Sequence, residues 1–221
     1  MANFHTHLLG GFIVGIGGLI GGIHLDLVPL TMAPVVAIAG IFGGIAPDLD
    51  HDHGRPIRIM FGLAAIIIPP LIIFRFFPNF DTWFQFCQMW ALGGVVIRYP
   101  ICWIFKKLTV HRGIFHSVPA IGIFGCLLYL LTAHDVHNVQ SQQTIAVCGS
   151  AGYLIHLLLD ELWAVDFNGV ATRVKRSFGS ALALYKKSIF ITALAYSLLG
   201  ILFYLCWLDH QGTSPEDLIK I

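Results

Sequence analysis

The sequence predicts an all-α integral membrane protein, a polytopic bundle of about seven transmembrane helices. Three observations support this fold class: 11% of the 221 residues are charged, 57% are hydrophobic, and the mean hydropathy is +0.78. An ordinary soluble domain carries ~25% charged residues, and a soluble chain of this length could not hide so much apolar surface. These values exclude a soluble enzyme and a disordered chain. The formal net charge of +1 gives no basic field, so no nucleic-acid partner is expected.

Seven stretches with few charges are long enough to cross a bilayer, which needs about 20 mostly apolar residues. The first stretch is rich in glycine at small-xxx-small spacing, which predicts close helix packing in lipid. The third contains Pro69-Pro70, which predicts a kink. We interpret 1–221 as a single integral membrane domain. The predicted spans are 8–24, 28–47, 59–77, 83–104, 114–133, 144–163 and 189–208, and the glycine pairs are Gly11/Gly15, Gly17/Gly21 and Gly18/Gly22.

The lysines and arginines predict the orientation of these spans. With seven spans, ten basic residues fall on the side of the N-terminus, and Arg75 and Lys220 fall on the opposite side. The positive-inside rule therefore predicts a cytoplasmic N-terminus and a C-terminus outside. The basic segment 170–188 is either an interfacial segment that meets anionic lipid or an ordinary cytoplasmic loop. The ten residues are Arg55, Arg58, Lys106, Lys107, Arg112, Arg173, Lys175, Arg176, Lys186 and Lys187.

Most of the chemistry lies in four polar groups that this topology brings to the cytoplasmic face. His156 and Asp160 are four residues apart, so they share one face of the sixth span. Ionisable groups within a span are costly and usually face the bundle interior. Imidazole and carboxylate together suit Zn²⁺, Mn²⁺ or Fe, whereas a buried structural His–Asp pair is the alternative. The groups are His5 and His7, the run PDLDHDH at 47–53, His111 and His116, and His156 with Asp160.

These motifs resemble the YdjM-like family of bacterial inner-membrane, predicted metal-dependent hydrolases, some of them LexA-regulated. The resemblance covers about residues 6–160, and the stretch 161–180 is less similar. It implies a bacterial inner-membrane location, a periplasmic C-terminus and a hydrolytic metal site. The residues that carry it are Thr6-His7-Leu8, Pro47-Asp48-x-Asp50-His51, His111-Arg112-x3-His116-Ser117 and His156-x3-Asp160.

We predict one or two divalent metal ions, because the candidate ligands are too many for one tetrahedral ion with an open position. Bound metal would activate a water, and a pair of ions would clamp a displacement at phosphorus. Glu161 or Asp50 is the predicted general base, and Arg112 and Arg55 are predicted to bind phosphate oxygens. The candidate ligands are His7, Asp48, Asp50, His51, His111, His116, His156 and Asp160.

The predicted function is hydrolysis of a phosphoester in a lipid or another membrane-associated substrate. A metal-ion transporter or channel is one alternative, and a non-catalytic membrane protein with a structural metal is another. A second polar set is predicted on the outer side, where it is either solvated or the lining of an ion-binding vestibule. This outer set is His24, Asp26, His134, Asp135, His137, Asp209 and His210.

Overall fold

The computed structural model describes most of the chain. The described residues form two compact units, Met1–Pro47 with Arg112–Ile221, and Asp48–His111. The single membrane domain stays a prediction. The described ranges are 3–50, 55–76, 82–108, 115–132, 138–167, 172–174, 179, 182–185 and 188–211.

The fold is all-α, as the composition predicted. Two short strands, β1 (Val165–Phe167) and β2 (Thr172–Val174), pair antiparallel. A 3₁₀ helix covers Ala46–Asp50, and a π-helical turn covers Ile97–Ile101. The helices are α1 (Phe4–His24), α2 (Ala33–Gly43), α3 (Arg55–Phe76), α4 (Trp83–Val96), α5 (Cys102–Leu108), α6 (Val118–Thr132), α7 (Val139–Leu162) and α8 (Ile189–His210).

The first unit is a helical bundle in which α1, α2 and α7 approach at glycines. A Cβ on Gly43 would collide with the Gly149 carbonyl, and one on Gly152 with the Gly40 carbonyl. Without a hydrophobic driving force between helices in lipid, such close backbone packing is what joins them. Of the glycine pairs predicted to pack closely in α1, Gly11/Gly15 and Gly18/Gly22 do so, because an added Cβ would meet neighbouring atoms. The pair Gly17/Gly21 faces open space instead.

The outer surface of the bundle is apolar. Along α8, Ile189 is 86% exposed, Phe190 76% and Phe203 67%. Apolar surface on this scale marks a membrane or a partner interface. Among the described residues, α1, α7 and α8 are long and apolar enough to cross a membrane, and the apolar segments 33–43, 57–70 and 118–132 are shorter. Seven crossings therefore stay a prediction.

The helix α2 is shorter than the predicted span 28–47. It has 11 residues, which corresponds to ~16 Å of helix, against the ~30 Å of a bilayer core. Pro34 occupies its first turn, and Gly44 forms its C-cap. The predicted span was too long because it was bounded by the nearest charged residues, whereas proline and glycine determine where α2 begins and ends.

The second unit contains α3, α4, the π-helical turn and α5. Pro69 and Pro70 lie inside α3, and a proline at position 70 leaves the carbonyl of Ile66 without its helical donor. Trp90 of α4 donates its indole Nε1–H to that carbonyl at 2.9 Å. Gly93 packs against Pro69, with 2.8 Å from an added Cβ to the Pro69 Cβ. The double proline is thus built into the contact between α3 and α4.

The basic segment between α7 and α8 starts with the β1–β2 hairpin and returns to the bundle. Residues 182–185 run beside the start of α6, where Val118 donates its backbone N–H to the Ala183 carbonyl at 3.1 Å. Leu182 packs on the core residues Ala120, Tyr153 and Leu157, whereas Leu184 is exposed. At Leu182 the segment is therefore part of the protein core. Its predicted contact with lipid stays a prediction.

Candidate metal centre

His7 is placed by the start of α1. Asn3 caps the helix, accepting the backbone N–H of Thr6 at 2.9 Å, and an Asn cap of this kind stabilises a helix by ~1 kcal/mol. The helix begins four residues before the predicted span at 8–24, so His7 lies in its first turn. Its side chain is buried, and its Nδ1 has no hydrogen-bond partner among the described residues.

His156 and Asp160 lie near the C-terminal end of α7, one turn apart as the spacing predicted. The Nδ1 of His156 is 2.8 Å from the carbonyl oxygen of Gly44, the C-cap of α2. A carbonyl can only accept, so Nδ1 carries the proton and Nε2 presents its lone pair. Metal-ligating histidines are commonly oriented in this way.

His116 lies two residues before the start of α6 and is fully buried. The hydroxyl of Tyr153 on α7 donates to the backbone carbonyl of Phe115, the residue before His116, at 2.6 Å. Ser117, next to His116, forms a parallel bridge with Ala183. The backbone around His116 is therefore held from two sides, by α7 and by the segment 182–185.

The four side chains converge at one end of the first unit, although 153 residues separate the first from the last. His7 Nε2 lies 3.3 Å from Asp160 Oδ1, and His116 Nε2 lies 3.5 Å from Asp160 Oδ2. The rings of His7 and His156 are stacked, with centroids 3.6 Å apart and 13° between their planes. All four residues are at most 3% exposed.

These distances suit ligands around an ion better than direct hydrogen bonds. A charge-assisted N–H···O bond is ~2.7–2.9 Å long, whereas two ligands ~2.0–2.1 Å from a tetrahedral ion lie roughly 3.3–3.4 Å apart. Ligand atoms of His7, His156 and Asp160 all lie within 4.8 Å of one another.

Glu161 follows Asp160 but faces other partners. Its Oε2 accepts the backbone N–H of Gly179 at 2.7 Å, and its Oε1 accepts that of Leu182 at 3.4 Å. Gly179 has a φ of +79°, a conformation that glycine adopts at no steric cost. The carboxylate therefore fastens the segment around 179–182 to the end of α7. Its predicted role as general base stays a prediction.

A comparison with protein-family models gives one match, the YdjM inner membrane protein family, over residues 1–212. The chain belongs to this family. The match confirms the resemblance drawn from the four motifs and extends through residues 161–180. Membership and the apolar helices together support an inner-membrane location. A search of curated proteins and a search of solved structures each found no match.

Several predicted site residues of this YdjM family member lie in the second unit or outside the described residues. Asp48 is half-buried in the 3₁₀ helix and belongs to the second unit. Asp50 lies in the same 3₁₀ helix, and its side chain is outside the described part of the structure, as is that of Arg55. His51, His111 and Arg112 lie outside the described residues. Their predicted roles stay predictions.

Two residues that orient the cluster were missed by the sequence reasoning. Gly44 acts through its backbone carbonyl, which has no signature in the side-chain pattern. Tyr153 had a weak signal, because it lies three residues before His156 and so shares its helix face. His5, which follows the helix cap, is exposed and takes no part in the cluster.

Proposed function

We propose that this protein is a membrane-embedded, metal-dependent hydrolase whose metal is held by His7, His116, His156 and Asp160. The observation that carries the proposal is the Asp160 carboxylate, which contacts imidazoles from two other segments of the chain. A buried carboxylate among three histidines is the donor set that Zn²⁺, Mn²⁺ and Fe prefer. Asp48, Asp50, His51 and His111 remain sequence-predicted further ligands, which would allow a second ion.

The protein residues would hold and orient the reacting groups. The Gly44 carbonyl fixes the tautomer of His156, and Tyr153 fixes the position of the His116 backbone. The bound ion would supply a water of lowered pKa. As substrate we propose a phosphoester of a lipid or of another membrane-associated molecule. This proposal rests on the metal chemistry and on the membrane location, with Arg112 and Arg55 as the predicted phosphate partners.

A transporter fits the first unit less well. Transport needs polar groups through the membrane depth, whereas the ionisable cluster occupies one end. Farther along the bundle, the buried polar side chains among the described residues are Ser141 and Gln142 at the start of α7, and both are uncharged. The two apolar clusters of the described core are Val28, Val36, Ala39, Ile145 and Cys148, and Ala46, Ala120, Tyr153 and Leu157.

Metal analysis of the purified full chain tests the proposal. Wild type should retain about one or two divalent ions per chain, and both Asp160→Asn and His116→Ala should lose them. Asp209→Asn and His24→Ala are matched controls, because they change the same residue types at the opposite end of the bundle. Those controls should keep the ions.

Hydrolysis is then measured with an aryl phosphodiester and with phospholipid vesicles, before and after metal removal by a chelator. Activity that follows the bound ion supports the proposal. Wild-type protein that contains no metal would contradict both the metal site and the proposed hydrolysis. Bound metal without hydrolysis of either substrate would favour the structural-metal alternative over an enzyme.

A further inference from the structure

Two grooves on the first unit share a ridge on α7 and begin at the end opposite the metal centre. Gln143, Val147 and Ala151 are spaced four residues apart, so they form one stripe along the helix. Val147, at the middle of the stripe, is 67% exposed. All three residues line both grooves. The stripe is therefore a ridge with an open channel on each side.

The groove on the α8 side has a volume of about 700 Å³ and the one on the α1 side about 540 Å³. Both volumes lie within the ~300–1,000 Å³ typical of small-molecule sites. The α8 groove is lined mainly by apolar side chains of α6, α7 and α8, such as Ile121, Leu154 and Phe203. Gly18, Gly21 and Gly22 of α1 line the α1 groove, and the Cβ position of Gly21 faces open space.

Polar side chains gather at the same end of both grooves. Gln140, Gln143 and Thr144, in the first turns of α7, line the α1 groove. Gln143 also lines the α8 groove, together with His210 at the end of α8. From Gln143 to Leu154 the α8 groove follows α7 for ~17 Å. This length is close to one leaflet, half of a ~30 Å hydrocarbon core.

We propose that the paired grooves bind one diacyl phospholipid, with one acyl chain on each side of the α7 ridge. The headgroup would lie at Gln140 and Gln143, and the chains would run towards Leu154 and Val14. Two channels with a common polar end match the shape of a diacyl lipid. The protein belongs to an inner-membrane family, so phospholipid surrounds this face. This binding site is independent of the proposed hydrolase, because its lining includes none of the four metal-centre residues.

The chemistry of the polar end predicts the headgroup preference. The side-chain amides of Gln140 and Gln143 can donate hydrogen bonds to phosphate oxygens without a full charge, whereas the Thr144 hydroxyl already donates to the Gln140 carbonyl at 2.7 Å. Phosphatidylethanolamine and phosphatidylglycerol should therefore bind about equally, within ~threefold, less than 1 kcal/mol. The probes are these two lipids, each in nanodiscs of the single lipid.

Native mass spectrometry of the full chain, released from these nanodiscs, tests the proposal with two groove-filling variants. Gly21→Phe fills the α1 groove, because a Cβ at Gly21 meets nothing within 4 Å. Ala146→Phe fills the α8 groove. Gly17→Phe and Gly200→Phe are the controls, since both glycines also face open space but line neither groove.

Wild type and both controls should retain one phospholipid per chain. In each groove-filling variant the fraction of chains that retain the lipid should fall by at least about tenfold, because one lipid molecule needs both channels. Equal retention in all variants would overturn the proposal, as would a wild type without lipid. Wild type released as a dimer that carries no lipid would also overturn it, in favour of a second copy of the chain as the occupant.

Discussion

The two ends of the first unit carry similar residues in opposite environments. At one end, His7, His116, His156 and Asp160 are buried and in mutual contact. At the other end, His24, Asp26 and His210 are exposed. Burying an ionisable group costs several kcal/mol unless partners or a metal compensate, whereas exposed groups at helix ends need no compensation. Burial and convergence, rather than residue type, therefore distinguish a candidate site from interfacial polar residues.

The packing of the helices also differs between the two ends of the first unit. Towards the metal centre, α1, α2 and α7 touch through the backbones of Gly11, Gly44, Gly40 and Gly152. At the opposite end, α1 meets α7 through side chains, with Cys148 against Gly18 and Thr144 against Gly22, and Gly21 faces an open groove beside them. Close backbone packing gives the rigidity that a preorganised ligand set requires. The open end, in contrast, leaves room for lipid.

The largest effect is expected where the helices are closest. Gly152→Leu should destabilise the protein by about 3 kcal/mol or more, above the ~1–3 kcal/mol of ordinary overpacking, because its Cβ would meet the Gly40 backbone rather than a movable side chain. Gly200→Leu is the control, since its Cβ meets nothing within 4 Å. The apparent melting temperature in detergent measures both variants. Equal melting temperatures would show that glycine contacts do not hold the metal-centre end together.

An intermediate effect is expected at Glu161, where two roles compete. If Glu161 tethers the segment around 179–182, Glu161→Gln should lower the free energy of unfolding by about 1.5–3 kcal/mol, the range for hydrogen bonds to a charged group. Bound metal should be retained, and hydrolysis should fall less than about tenfold. A general base would instead lose ~10²–10⁴-fold in rate. Melting temperature, metal content and rate together decide between the roles, with Asp209→Asn as the matched acidic control.

The sequence was most informative where periodicity and topology determine position. His156 and Asp160 share a helix face because they are four apart, and alternating spans bring the starts of α1 and α6 to the end of α7. The ligand orientation could not be predicted in this way. The Gly44 carbonyl that binds His156 belongs to the backbone, and the partners of Glu161 lie in a segment without periodicity. The length of α2 was also missed, because lack of charge does not mark a helix end.

The smallest effect is expected at Tyr153, which supports the metal centre without reaching it. Tyr153→Phe removes the hydrogen bond to the Phe115 carbonyl, which is worth ~1 kcal/mol. The ring is kept, so its packing against Phe124, with centroids 5.3 Å apart, should persist. Metal affinity should weaken about tenfold, the lower end of the ~10–100-fold range for residues that orient ligands.

Competition with a fluorescent zinc chelator measures this affinity, and Tyr204→Phe, at an exposed position of α8, is the control. An unchanged zinc affinity together with an unchanged melting temperature would mean that the segment 182–185 alone positions His116. A lower melting temperature with unchanged affinity would place Tyr153 in the core packing rather than in the support of the ligands. Weakened affinity together with a melting temperature lowered by only a few degrees, as the loss of ~1 kcal/mol predicts, is the result expected if the burial at this end serves a metal.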